Sequence, residues 1–376
     1  MENSIHLFTV RGIAIRVHVT FPLILIWGAL QFGPLSGRGL NGAVFGLIVT
    51  LLLFVVVVLH ELGHSVAAQY YGVKVKRIVL LPIGGVAELE RIPEEPIKEF
   101  VIAIAGPLVN FGLAILLTGA AFVFDIGLVL GGPQSMLRHL SALNPEGYFG
   151  YVYSANLFLG VFNLLPAFPM DGGRVLRAIL ASRMEHARAT RIAATIGQGL
   201  ALLLGLWGFL GGGFFTILVA IFIYLGAGQE GWQSQVRSAL RGLTVAQGYS
   251  RRAQTVRPDS TLQEVVNLTL SSFQSDFAVC DQKKVVGLMT HTRLIEALQA
   301  HGPDLPVGQV MQKDVRPVRP QDPLFDVQQR LQSEMLDALP VTDGDEFLGL
   351  ITLRDINELF RLITSQPDLV IAPGRG

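Results

Sequence analysis

The pattern of hydrophobic and polar positions divides the chain at about residue 228: long apolar runs crowd the part before it and are absent after it. Six runs are long enough to be read as transmembrane helices, at roughly 14–33, 43–70, 99–124, 148–167, 190–210 and 213–228. The second is the most extreme. No charge stands between Val44 and Leu59, and Leu51 to Leu59 is an unbroken series of Leu, Phe and Val. Between the second and third runs, Val73 to Arg77 alternates apolar and basic residues before an apolar piece broken by Pro82 and Gly84-Gly85. This stretch is too short to span a bilayer, and its period of two predicts a strand or re-entrant segment, with an amphipathic surface loop as the alternative.

After residue 246 the pattern turns soluble and repeats at a spacing of 62 residues without gaps. Val256-Arg257-Pro258 matches Val318-Arg319-Pro320, and Gly287-Leu288-Met289-Thr290 matches Gly349-Leu350-Ile351-Thr352. Each copy reads as an extended segment, a helix, two short strands joined by a turn, and a second helix. Neither copy can bury a sufficient core alone, so the two are expected to pack as a pair.

Composition sharpens this picture. Hydrophobic residues make up 51% of the 376 and charged residues only 15%, and the mean hydropathy is +0.49. Those values fit a multi-spanning membrane protein better than a soluble one. Net charge is zero, so nothing points to nucleic acid. The single cysteine, Cys280, excludes an intrachain disulfide and a Cys-based zinc site. The first apolar run lacks a small-residue cleavage site and reads as a span rather than a signal. With the N-terminus in the cytoplasm, twelve Lys and Arg fall on the inside and two, Arg38 and Arg138, outside. Basic residues favour the inner face, so both termini are expected to be cytoplasmic.

The chemistry begins where the second run ends, at His60-Glu61-Leu62-Gly63-His64. On a helix, histidines at i and i+4 leave the same face and can share one metal ion, with Glu61 placed to take a proton from an activated water. A chance match is disfavoured here because ionisable side chains in lipid carry a penalty of a few kcal/mol. A third ligand is sought in Asn163 to Arg174, where Pro166 and Pro169 stop a helix and Gly172-Gly173 follow Asp171. Asp171 is either that ligand, leaving one position of a tetrahedral zinc open, or the cap of a helix over 172–182. In the third run, Gly106-Pro107 suggests a helix facing other helices, and Asn110 is either an interhelical hydrogen-bonding residue or a partner of the site. His18, placed in the first run, is read as hydrogen-bonded within the bundle, with a gating or weak-ligand role as the alternative.

His60-Glu61-Leu62-Gly63-His64 together with Asn163-Leu164-Leu165-Pro166-Ala167-Phe168-Pro169-Met170-Asp171-Gly172 resembles the site-2 protease family of intramembrane zinc metalloproteases, over roughly residues 1–228. The resemblance implies one Zn2+ held by His60, His64 and Asp171, Glu61 as catalytic acid and base, and Asn163 supporting substrate or transition state. It also implies that Gly84, Gly85 and Val86 lie in a membrane-embedded strand that positions an unwound substrate. The repeat resembles a tandem CBS domain over 246–362, in copies of about 246–305 and 308–362, followed by a tail over 363–376. Its G-h-h-T-x-x-D element is complete only in the second copy, ending Thr352-Leu353-Arg354-Asp355. By that resemblance Thr352 and Asp355 would meet ATP, ADP or AMP, whereas Arg293 replaces the aspartate in the first copy; a ligand-free, structural pair is the alternative.

The expected fold class is therefore a multi-pass α-helical membrane protein with about six spans and a short strand segment, joined by a linker over 229–245 to a cytoplasmic α/β CBS pair. The expected function is hydrolysis of a peptide bond within the transmembrane segment of a membrane-tethered protein, in the plasma membrane of a prokaryote, under adenine-nucleotide control. A homo-oligomer formed through the CBS pair is compatible with this reading. The rival reading is a CBS-gated metal-ion transporter or channel, in which the same three ligands form a transit site.

Overall fold

The computed structural model describes residues 4–89, 93–124, 143–272, 274–282 and 284–366. It separates into two compact units, Met1–Trp232 and Gln233–Gly376. Arg91, one of the twelve basic residues expected inside, Arg138, expected outside, and most of the 363–376 tail lie outside the described residues.

The first unit opens on β-structure rather than on a span. Strands β1 (Ser4–Val10) and β2 (Ile13–His18) form a hairpin, and β2 runs parallel to β3 (Val75–Leu81), which pairs antiparallel with β4 (Gly84–Leu89). The sheet order is β1-β2-β3-β4. The run read as a span over 14–33 is thus half strand, half helix: α1 (Pro22–Phe32) has 11 residues. At 1.5 Å per residue it is about 16 Å long, roughly half of a hydrocarbon core. Ile13 and Ile15 are fully buried on alternate positions while Arg16 turns to Ser4, a period-two signal that a hydropathy window averages away. His18 correspondingly ends a strand, with Nδ1 2.8 Å from Thr20 Oγ1.

Helix α2 (Gly39–Tyr70) is the backbone of this unit. Helices α3 (Pro96–Val123), α4 (Pro145–Asn163), α5 (Asp171–Ala181), α6 (His186–Trp207) and α7 (Phe214–Ala239) follow. Among the described residues, four segments are long and apolar enough to cross a membrane: Gly39–Tyr70, Pro96–Val123, His186–Gly212 and Phe214–Ala239. The buried faces of the sheet, Ile13, Ile15, Ile78 and Leu80, pack with Phe54, Val57 and Ala68 of α2 and Ile102 of α3. Small residues let the helices approach closely: a Cβ on Gly63 of α2 would stand 2.9 Å from the carbonyl oxygen of Ala105 of α3.

In the second unit the repeat is visible as geometry. β5 (Thr255–Val256) lies parallel to β6 (Phe277–Asp281), which pairs with β7 (Lys284–Met289). The second copy pairs β8 (Ala338–Asp343) with β9 (Glu346–Thr352). Val256 opposite Val279 recurs as Val318 opposite Val341, and the register shift after Val279 recurs after Val341. Helices α8 (Leu262–Ser272), α9 (His291–His301), α10 (Leu324–Ser333) and α11 (Leu353–Ser365) complete the two copies. The segment 229–245, expected to be a linker, has ordered structure of its own. It is helical to Ala239, and Val236, Leu240 and Val245 are buried with Leu324, Leu331, Val341 and Phe360 in the core of the second copy. The physical reason is the i, i+4 spacing of Val236 and Leu240, which puts both on one helical face.

Candidate active site

α2 brings His60 and His64 to one face, both buried. α5 brings the third member. Met170 precedes the helix in extended conformation, and Asp171 occupies its first turn. No side chain caps this end, and the Asp171 carboxylate instead reaches α2. Its Oδ2 lies 3.2 Å from His60 Nε2 and 3.1 Å from His64 Nε2, and the two Nε2 atoms are 3.1 Å apart. The tight turn this requires depends on Gly172, whose Cβ position would overlap the carbonyl oxygens of Leu164 and Leu165.

The chemistry of this triangle decides what it suits. His64 Nδ1 is 2.7 Å from the carbonyl oxygen of Ile102, which can only accept, so Nδ1 carries the proton. His60 Nδ1 likewise faces Asn110 Oδ1. In the neutral rings both Nε2 atoms therefore present lone pairs to each other and to a carboxylate oxygen, a repulsive arrangement that a cation relieves. Three ligands around a tetrahedral zinc at 2.0–2.1 Å stand about 3.3 Å apart, close to these separations. Two imidazoles and one carboxylate also leave the fourth position that a hydrolytic zinc requires. His60, His64 and Asp171 are the cluster of potential ligands found among the described residues. The set fits zinc.

Glu61 lies beside this triangle, in a cleft of about 660 Å³ lined also by Gly84, Gly85, Val86, Asn163, Asp171 and Arg174. Gly85 backs directly onto the glutamate: a Cβ there would be 2.7 Å from Glu61 Cγ and 3.1 Å from Val57 Cγ1. Among the described residues β4, which carries Gly84, Gly85 and Val86, is an edge strand with β3 as its single neighbour in the sheet. Asn163 is the last residue of α4 and faces the same cleft. Behind the ligands, Gly106 of α3 presses on both imidazoles, its Cβ position 2.8 Å from His60 Cε1 and closer still to His64 Nε2. Asn156 of α4, buried beside Asn110, also belongs to this surround. Neither Gly106 nor Asn156 follows from spacing along the chain, because each reaches the site from another helix.

α5 is fastened by Arg177. Its guanidinium donates to Glu99 of α3 at 2.6 Å and to Glu230 of α7 at 2.5 Å, and it stacks on Phe168, 5.0 Å from the ring centre, just before Asp171. These two carboxylates hold the Arg177 guanidinium charged against the cost of its burial, raising its pKa above the usual arginine value.

In the second unit, Thr352 and Asp355 line a cavity of about 930 Å³ with Arg252, His291, Asp337 and Arg354. They also cap α11. The Asp355 Oδ2 accepts from the Thr352 amide at 2.9 Å and from its hydroxyl at 2.7 Å, and the Asp355 amide donates to Thr352 Oγ1 at 3.1 Å. One carboxylate oxygen of Asp355 is thereby committed to the helix cap. In the first copy, where Arg293 stands in place of the aspartate, the Arg293 amide still donates to Thr290 Oγ1 at 3.3 Å, and Asp276 accepts from the His291 amide at 3.1 Å.

A buried His–His–carboxylate triangle, with a glutamate beside it and helices long enough to span lipid around it, defines a membrane metallopeptidase. Known proteins agree. The pattern of peptidase family M50 matches residues 48–204, and that of the CBS domain matches residues 307–361. A zinc metalloprotease of Methanocaldococcus jannaschii is 36% identical over 371 residues, covering 98% of this chain and 99% of its own. Stage IV sporulation protein FB of Bacillus subtilis is 31% identical over 194 residues, 51% of this chain and 57% of its own. The solved structure of a site-2 protease from M. jannaschii is 44% identical, covers 61% of this chain and 95% of its own, and superposes with a TM-score of 0.44. The chain belongs to peptidase family M50, the site-2 protease family of zinc metalloproteases, and carries a CBS domain at residues 307–361 of its second unit. The transporter reading gives way to this membership.

Proposed function

We propose that this protease hydrolyses a peptide bond in the transmembrane segment of a membrane-tethered protein, close to the cytoplasmic face, and that adenine nucleotide at the CBS pair adjusts its rate. The observation that carries the reading is the convergence of His60, His64 and Asp171 beside Glu61 in a cleft bordered by an edge strand. A peptide bond in a transmembrane helix is protected twice, by scarcity of water and by its own backbone hydrogen bonds. An unwound substrate can recover those bonds along the free edge of β4, with Gly84 and Gly85 keeping side chains out of the way. His60, His64 and Asp171 would hold zinc, which supplies Lewis acidity and makes water nucleophilic near neutral pH. Glu61 would take the proton of the attacking water and hand it to the leaving amine. Asn163, across the cleft, would support the scissile segment.

The sheet supports the orientation. Because β2 pairs with β3, residues 4–18 and 75–89 lie on the same side of the α1–α2 hairpin that joins them. The basic residues of both segments then share one face, the cytoplasmic one in a prokaryotic plasma membrane. Glu61→Gln is expected to abolish cleavage of a single-span reporter substrate while zinc content stays at one per chain; cleavage at the wild-type rate would refute the assignment. For the second unit, calorimetric titration with ATP, ADP and AMP is expected to show binding that Asp355→Ala weakens, and no heat with any of the three would remove the proposed regulation.

A further inference from the structure

We propose that Asn156 and Asn110 form a positioning relay that fixes which nitrogen of His60 faces the ligand triangle. The inference rests on the reading of His60 as a metal ligand and adds to it residues from two other helices. Asn110, on α3, and Asn156, on α4, are 1% and 0% exposed. Buried side-chain amides must meet complementary partners on both ends, so their orientation can be read from the chain of bonds.

The chain starts at a group that cannot be reversed. The backbone carbonyl of Asn110 only accepts, and it lies 2.8 Å from the Asn156 amide nitrogen. Asn156 must therefore turn its NH2 to that carbonyl and its oxygen the other way. That oxygen lies 2.8 Å from the side-chain nitrogen of Asn110 and accepts from it. Asn110 then has its own oxygen directed at His60 Nδ1, which must donate. With the proton held on Nδ1, Nε2 keeps its lone pair and the ring plane is set, with Nε2 3.2 Å from Asp171 and 3.1 Å from His64 Nε2. His64 gains the same setting from a backbone carbonyl. The two ligands thus reach one tautomer by different devices: His64 from a single main-chain group, His60 from two side chains that must both be in register. Outer partners of this kind orient the ring and raise its basicity toward metal.

The test uses the full-length protein in detergent and two readouts besides proteolysis: zinc affinity by competition with a chelator, and histidine 15N NMR of the metal-free protein, which distinguishes the two ring tautomers. Asn110→Leu is expected to weaken zinc binding by about ten- to a hundredfold and to populate the Nε2–H form of His60. Asn156→Leu leaves Asn110 free to turn and is expected to cost about tenfold, at the low end of such effects. Asn110→Asp keeps an acceptor for the same proton but loses the donor to Asn156, and is expected to keep the Nδ1–H form of His60 and to weaken zinc binding less than Asn110→Leu does. If Asn110→Leu does not fold, Asn156→Leu is read by the same two measurements. Wild-type affinity and tautomer in both leucine variants would overturn the relay, as would an Asn110→Asp that binds zinc as weakly as Asn110→Leu, since packing alone would then be at work. His60→Ala separates the two readings: if it retains zinc, the ligand assignment fails, and if it loses zinc while the leucine variants do not, the relay alone fails.

Discussion

At the scale of single residues, two glycines separate metal binding from chemistry. A methyl group on Gly106 would press on both imidazoles, 2.8 Å from His60 Cε1 and nearer to His64 Nε2. Gly106→Ala is therefore expected to yield protein without stoichiometric zinc, measured by elemental analysis after purification. Gly85 faces the other way, onto Glu61 and Val57. Gly85→Val should leave zinc content unchanged and reduce cleavage at least tenfold, because it displaces the proton-carrying side chain and not the ligands. Cys280 offers a pH test. Burial pushes its thiol up to about 11, and the thiolate is the reactive form. The folded protein is expected to resist maleimide between pH 7 and 8, to react faster only as the pH rises toward that value, and to label fully in denaturant. What the sequence revealed at this scale was set by chemistry local to the chain. His60 and His64 declare themselves by an i, i+4 spacing, and Asp171 by the prolines and glycines that bend the backbone around it. Gly106, Asn156 and Asp276 carry no such mark, since each owes its place to a neighbouring element that arrives from elsewhere in the chain.

At the scale of elements, α5 is a short helix that must keep Asp171 in reach of α2, and Arg177 ties it to α3 and α7. Glu99, its partner, is 1% exposed. Without Arg177, Glu99 keeps His186 Nε2 at 3.4 Å but loses its guanidinium partner, and breaking a buried ion pair on one side costs about 3–5 kcal/mol. Arg177→Met is expected to lower the thermal midpoint in detergent, and adding Glu99→Gln should recover part of the loss, which a double-mutant cycle measures. A midpoint equal to wild type in Arg177→Met would show that packing, not charge, holds α5. The elements also mark where reading by hydropathy stops. A 20-residue apolar window does not distinguish a span from a β-branched strand followed by an 11-residue helix, so the segment 14–33 was legible as hydrophobic but not as β2 plus α1. The strand pair at 75–89 announced itself by its period of two and by the Pro82 and glycine break. The partner strand from the N-terminus did not, because parallel pairing between distant segments has no local signature.

At the scale of the whole molecule, the proposed zinc and nucleotide sites fall in different units. Chelation is expected to abolish cleavage, and added zinc to restore it, with no change in nucleotide binding by the second unit. Saturating nucleotide at a hundred times its dissociation constant would stabilise that unit by about 2.7 kcal/mol, read as a rise in its unfolding temperature. The division into a membrane part and a soluble repeat was plain from composition and from the spacing of 62 residues. The exchange at its boundary was not: Val236 and Leu240 look like the tail of an apolar helix, yet they are buried in the second repeat's core.

The sheet that joins the N-terminus to the segment after α2 bears on how the protein is made. During synthesis β1 and β2 emerge first and lack their parallel neighbour until Val75–Leu81 has left the ribosome. The edge strand beside the catalytic cleft is therefore the last of the four to be made, and the substrate-facing surface is completed only after the whole α1–α2 hairpin has been synthesised.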